Sequence, residues 1–171
     1  MKKIFNTPFA VLFCMAVAVV FTACEPEEQI IDKDERNLAF VCDGETIADG
    51  SIYTSSKLDE SYAALGLTRF VPGIDLVGDA NGKVTVIVQS LNEAMVEICA
   101  FGGCQMTLPY LDYTTSASGE ITASTPLPLD IHYTPTGEGA HHAEALITAY
   151  YEGHEDKAVN FTLVMTNAKV E

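Results

Sequence analysis

From residue 37 onward, apolar residues recur at every second position in short runs separated by turn chemistry. Leu38, Phe40 and Cys42 fall on one face of the first run. Val84, Val86 and Val88 fall inward on a later one, with Thr85 and Gln89 outward and Ile87 out of pattern. Three further runs repeat the motif: Leu127, Leu129, Ile131 and Tyr133; Ala143, Ala145, Ile147, Ala149 and Tyr151; and Val159, Phe161, Leu163 and Met165. A period of two marks strands with one buried face. Shorter strands are predicted at 46–47, 51–54, 95–101 and 104–108, with an extended segment over 69–77 broken at Pro72-Gly73. Asp43-Gly44, Asp49-Gly50, Asn81-Gly82, Asn92-Glu93 and Gly102-Gly103 supply turns, as do the segments 136–139 and 152–156. The segment 57–67 reads as a loop or a single helical turn, ended by Gly66, and the Ser/Thr/Gly-rich segment 112–120 as a loop. About seven to nine short strands with regular turns predict an all-β fold. An immunoglobulin-like antiparallel β-sandwich is chosen over a small β-barrel, because the chain is short and its strands are uneven in length.

The first residues have a different pattern. Lys2 and Lys3 precede a nearly unbroken apolar run over 9–21. That is the length of a signal-peptide core, and short of the roughly 20 residues a spanning helix needs. Phe21-Thr22-Ala23-Cys24 then resembles the bacterial lipobox. The resemblance implies cleavage before Cys24, a diacylglycerol on its thiol and acylation of the new amine; two or three chains anchor stably where one does not. Glu25, Glu27 and Glu28 resemble the surface-export signal of Bacteroidetes lipoproteins, and as plain chemistry they keep a tether solvated and extended. The organisation read is a lipoprotein signal peptide over 1–23, an acidic tether over 24–36 and one domain over 37–171. Localisation at the outer membrane, lipid-anchored and on the cell surface, follows from this reading; facing the periplasm is the alternative.

Charge narrows the partners. Removing residues 1–23 leaves 148 of 171 residues, with 7 basic side chains against 24 acidic, a net of −17. Such a chain is repelled by a phosphate backbone and by anionic lipid, so no nucleic-acid partner is expected and the membrane is reached through the lipid anchor.

Three cysteines remain in the domain. Cys99 and Cys104 bracket Ala100-Phe101-Gly102-Gly103, and two strands joined there set the cysteines opposite one another, within the span of a disulfide. The oxidising compartment favours the bond. A zinc knuckle is the rival, but the sequence offers no clear second ligand pair. Cys42, in phase with Leu38 and Phe40, is expected to be a buried, inert thiol. With Leu129-Asp-Ile-His-Tyr133 and Val159-Asn-Phe-Thr-Leu163, the Cys99–Cys104 hairpin resembles those of small Bacteroidetes surface lipoproteins with Ig-like domains, over about residues 38–167. The group often carries Cys-Trp-Gly in the hairpin; here Phe101 is the aromatic and Trp is absent.

Catalytic signatures are missing. No Gly-x-Ser-x-Gly, His-Glu-x-x-His, P-loop or dinucleotide fingerprint occurs, so no enzyme and no cofactor is expected. The Asp79-to-Gly82 stretch lacks the EF-hand pattern and reads as a turn. Adjacent His141 and His142 point to opposite faces of a strand. His132, on the outer face with Asp130, meets His142 or Glu144 only if their two strands pair through the turn at 136–139; otherwise these are solvated surface histidines. The function expected is a non-catalytic Ig-like interaction module for an envelope or extracellular protein partner. The alternative is a ligand-scavenging lipoprotein that captures a metal, haem or glycan.

Overall fold

The computed structural model describes residues 36–168. Two sheets face each other. One contains β1 (Leu38–Cys42), β2 (Glu45–Ile47), β4 (Ile74–Gly78), β6 (Val96–Ala100), β7 (Gly103–Met106) and β9 (Leu127–Tyr133), in the order β2-β1-β4-β9-β6-β7. The other contains β3 (Ser51–Ser55), β5 (Gly82–Ser90), β8 (Thr114–Ile121), β10 (His142–Tyr151) and β11 (Val159–Thr166), in the order β3-β11-β10-β5-β8. All pairings are antiparallel except β11 with β3. This is an open Ig-like sandwich rather than a closed barrel. No helix among the described residues is long and apolar enough to cross a membrane.

The alternation read from the sequence forms the core. Leu129 and Ile131 of β9, Val84, Val86 and Val88 of β5, and Phe161, Leu163 and Met165 of β11 are buried between the sheets. On β10 every second residue from Ala143 to Tyr151 is buried. Its small alanines let the sheets close over Phe40, whose ring meets Phe161 edge-on at 4.8 Å.

The segment 112–120, expected as a loop, is mostly strand β8, paired with β5 from Gly82↔Ile121 to Gln89↔Thr114. Its inward residues Thr115 and Ala117 are small, so burial is real while the hydropathy alternation is faint. Gly119 has a steric reason: a Cβ there would collide with the ring of Phe101. Phe101, at the β6–β7 tip and held at φ 53°, folds across the open side of the sandwich onto β8. The hairpin aromatic is thus spent on packing.

The connections define two ends. At one end Arg36 enters, beside the 79–81 turn, where Asp79 N donates to Asn37 O, and near the 122–126 and 152–158 loops. The opposite end carries the loops 56–73, 91–95, 107–113 and 134–141. The first of these contains the one-turn helix α1 (Glu60–Ala63), capped by the Asp59 side chain.

Candidate functional site

Two strand neighbours and one loop converge on the outer face of the six-stranded sheet. Register sets Glu97 of β6 opposite His132 of β9, and Cys99 opposite Asp130. On the far side of β9, Phe70 N donates to Tyr133 O and Tyr133 N to Phe70 O, which prolongs the sheet and presents Arg69 outward. Phe70 itself turns inward, stacked 6.0 Å from Tyr133. His132 is therefore flanked on both sides, and only 5 % of it is exposed.

The imidazole is fully engaged. Nε2 lies 2.7 Å from Glu97 Oε2 and 3.0 Å from Arg69 Nη2, and Nδ1 lies 3.2 Å from Asp130 Oδ1. A ring with its proton on Nδ1 donates to Asp130 and accepts from Arg69; a proton on Nε2 is accepted by Glu97. Arg69 is also 3.6 Å from Asp130 Oδ2 and 3.8 Å from Asp59 Oδ2, and its guanidinium stacks 4.7 Å over Tyr62. The Asp59 carboxyl is held below the usual carboxylate range, chiefly by the Ser61 hydroxyl, although burial opposes this. Arg69 Nε is buried with no hydrogen-bond partner.

The disulfide borders this cluster. Cys99 and Cys104 Sγ are 2.00 Å apart across paired strands, with Cα atoms 4.0 Å apart. Cys99, Asp130 and His132 present ligand-type atoms all within 4.8 Å of one another, and Glu97, Cys99 and Cys104 do the same. As a disulfide the sulfurs are poor ligands, since thiolates bind metal.

His132 does not meet His142. β9 and β10 belong to different sheets, and the 134–141 loop crosses between them. His142 Nε2 instead contacts Glu144 Oε1 at 3.0 Å on the exposed face of β10, and His141 is buried at the base of that strand. His132 is likewise no solvated surface histidine. The sequence reading found Asp130 and His132 on one face but missed Glu97 and Arg69. The only signal for them was the outward phase of Glu97 beside Val96 and Ile98; cross-strand register, which sequence does not print, does the rest.

Cys42 is buried and unpaired in a disulfide. Its thiol donates to Pro72 O at 3.4 Å and accepts from Tyr53 Oη at 3.0 Å, a link between the two sheets. Cys24 and its acidic neighbours lie outside the described residues, as does the tether up to residue 35.

The loop end opposite Arg36 has its own character. Leu58, Leu65, Leu67, Leu91, Met95, Met106, Tyr110 and Leu111 are exposed there; Ile52, on edge strand β3, is the exception elsewhere among the described residues. Tyr110 is 79 % exposed and Leu65 75 %. A hollow of about 500 Å³ opens at this end between residues 66–68 and 135–141, with His141 in its wall.

No protein-family profile matches the chain. No curated protein matches it in sequence. Among solved structures, the N-terminal domain of PorA is similar in fold, with a TM-score of 0.53 at 11 % identity, over 76 % of this chain and 96 % of that one. A PapD-like domain of human CEP192 gives 0.38 at 13 % identity, over 79 % of this chain and 87 % of that one. The chain is an Ig-like β-sandwich similar in fold, at low identity, to the PorA N-terminal domain.

Proposed function

We propose that this protein is a lipid-anchored envelope protein, attached through Cys24 and displayed at the cell surface, whose Ig-like domain is a non-catalytic module for binding a protein partner. The observation that carries the reading is the placement of exposed apolar side chains. Eight of them gather at the loop end away from Arg36, where the chain enters the domain. Singly exposed apolar residues are ordinary, but a concentration of them on one face marks an interaction site. Tyr110 has the amphipathic character favoured at interface centres.

The test has two arms. Cys24→Ala in the producing cell is expected to release the protein from membranes or leave it unprocessed; a variant still membrane-bound after a high-salt wash and cut at the same place would remove the anchoring claim. In the second arm, capture from the native envelope is compared for the wild-type chain and for Tyr110→Ser/Leu111→Ser. A partner held equally by both would remove the claim for this end.

A further inference from the structure

We propose that the Cys99–Cys104 hairpin is a redox-gated metal site: on reduction, the two thiolates together with His132 and Asp130 bind one divalent ion of the zinc type. Sequence alone offers two cysteines without a second ligand pair. The fold supplies that pair from the neighbouring strand. Register places Asp130 directly across from Cys99, and Cys104 directly across from Cys99 on the other side. Cys99 Sγ and the ligand atoms of Asp130 and His132 already lie within 4.8 Å of one another. A tetrahedral zinc with bonds of about 2.0–2.3 Å needs its ligands roughly 3.3–3.8 Å apart. Cys104 Sγ groups with Cys99 and Glu97 rather than with Asp130 and His132, so its side chain must rotate toward them once the disulfide is cut.

The balance is simple. A dithiol reductant transfers two electrons and two protons to the disulfide and becomes a disulfide itself, leaving Cys99 and Cys104 as thiols. The metal then displaces both thiol protons to solvent and binds the thiolates. Asp130 groups with Cys99, and Glu97 with both cysteines, within 4.8 Å. The same carboxylates attract a divalent ion. Two thiolates, Asp130 and Glu97 carry four negative charges; the ion supplies two positive ones and Arg69, 3.6 Å from Asp130 Oδ2, a third. Glu97, 2.7 Å from Nε2 of His132, holds the ring in place as a carboxylate does for many metal-bound histidines. Burial of His132 between strands preorganises the site.

Cobalt(II) is the probe, with the full chain and a phosphine reductant. The reduced protein is expected to bind one cobalt per chain with thiolate-to-cobalt charge-transfer absorption, bleached by zinc, whereas the oxidised protein shows none. Cys42→Ala should leave the band intact, which separates this site from the other thiol of the domain. Cys99→Ser should abolish it, and His132→Asn and Asp130→Asn should each weaken cobalt binding at least about tenfold. The Asp130 variant tests the site without emptying the buried position. No band on reduction would overturn the proposal, as would a band that survives both His132→Asn and Asp130→Asn unchanged. Loss of the apolar loop end as a binding surface would leave it untouched.

Discussion

At the scale of single residues, two contacts have measurable consequences. The Tyr53 phenol is pushed up to about 12, first by its hydrogen bond to the Cys42 sulfur and then by burial. The folded value lies above the ordinary value of 10.0, so the stabilising effect of the neutral phenol is complete below pH 10 and is lost as pH rises toward 12. The stability gap between wild type and Tyr53→Phe should therefore close over that window, and Cys42→Ala should move the tyrosinate absorbance step back toward 10. A Tyr53 step already at 10 in the wild type would contradict the contact. Gly119 makes the second case. A methyl there meets the Phe101 ring, so Gly119→Ala is expected to cost about 1–3 kcal/mol by overpacking, read from the urea midpoint. In a Phe101→Ala background the same change should cost little, because the two sites share one contact. Equal costs in both backgrounds would mean that the ring is elsewhere.

Among the elements, the β6–β7 hairpin shows what a short loop closure contributes. Sequence separation across the disulfide is 5, so the entropy model assigns it only about 2 kcal/mol. Reduction should lower the unfolding free energy by about that amount and leave the domain folded, as followed by far-ultraviolet dichroism in reductant; unfolding on reduction would show that β7 depends on the bond. The hairpin was legible in the sequence because glycines and cysteines sit at turn spacing. The long strands were legible for a similar reason, since apolar side chains at every second position of β10 and β11, alanines included, leave a strong period. β8 was not, because its buried residues are Thr115, Ala117 and Ile121, with Gly119 between them, and small or hydroxyl-bearing side chains imitate a loop. The Arg69–His132–Glu97 cluster failed for a different reason. It depends on which strand neighbours which, and 35 residues separate Glu97 from His132 while 63 separate Arg69 from it. A period of two tells which face a residue takes but not what stands beside it. The meeting of His132 with His142 depended on the same point: it required consecutive strands to be neighbours, and here the chain changes sheets between them.

For the whole molecule, the polarity of the sandwich gives the most direct prediction. Strands β4 and β9 begin and end so that Arg36, the 79–81 turn and the 122–126 loop share one end, while Tyr133, Val96 and His142 lead into loops at the other. The first end is fastened by polar contacts: Tyr151 Oη donates to Ala80 O at 2.7 Å, Asn37 bonds Asp79, and Asn81 accepts from Ala123 N. The second end leaves Leu65, Leu67, Met95 and Tyr110 half or more exposed, an arrangement that costs solubility unless a partner covers it. The strong negative charge of the chain offsets that cost by self-repulsion, which keeps copies apart and favours a different molecule as the occupant. A photoreactive residue at Tyr110 is therefore expected to crosslink an envelope or extracellular protein on intact cells, and one at Ser124, at the opposite end, to give none. The Tyr110→Ser/Leu111→Ser chain should keep the wild-type stability to within about 0.5 kcal/mol, since exposed side chains contribute little to folding, and should lose the partner. Crosslinks from Ser124 alone, or partner capture that survives the double substitution at full yield, would move the binding surface to the other end of the sandwich.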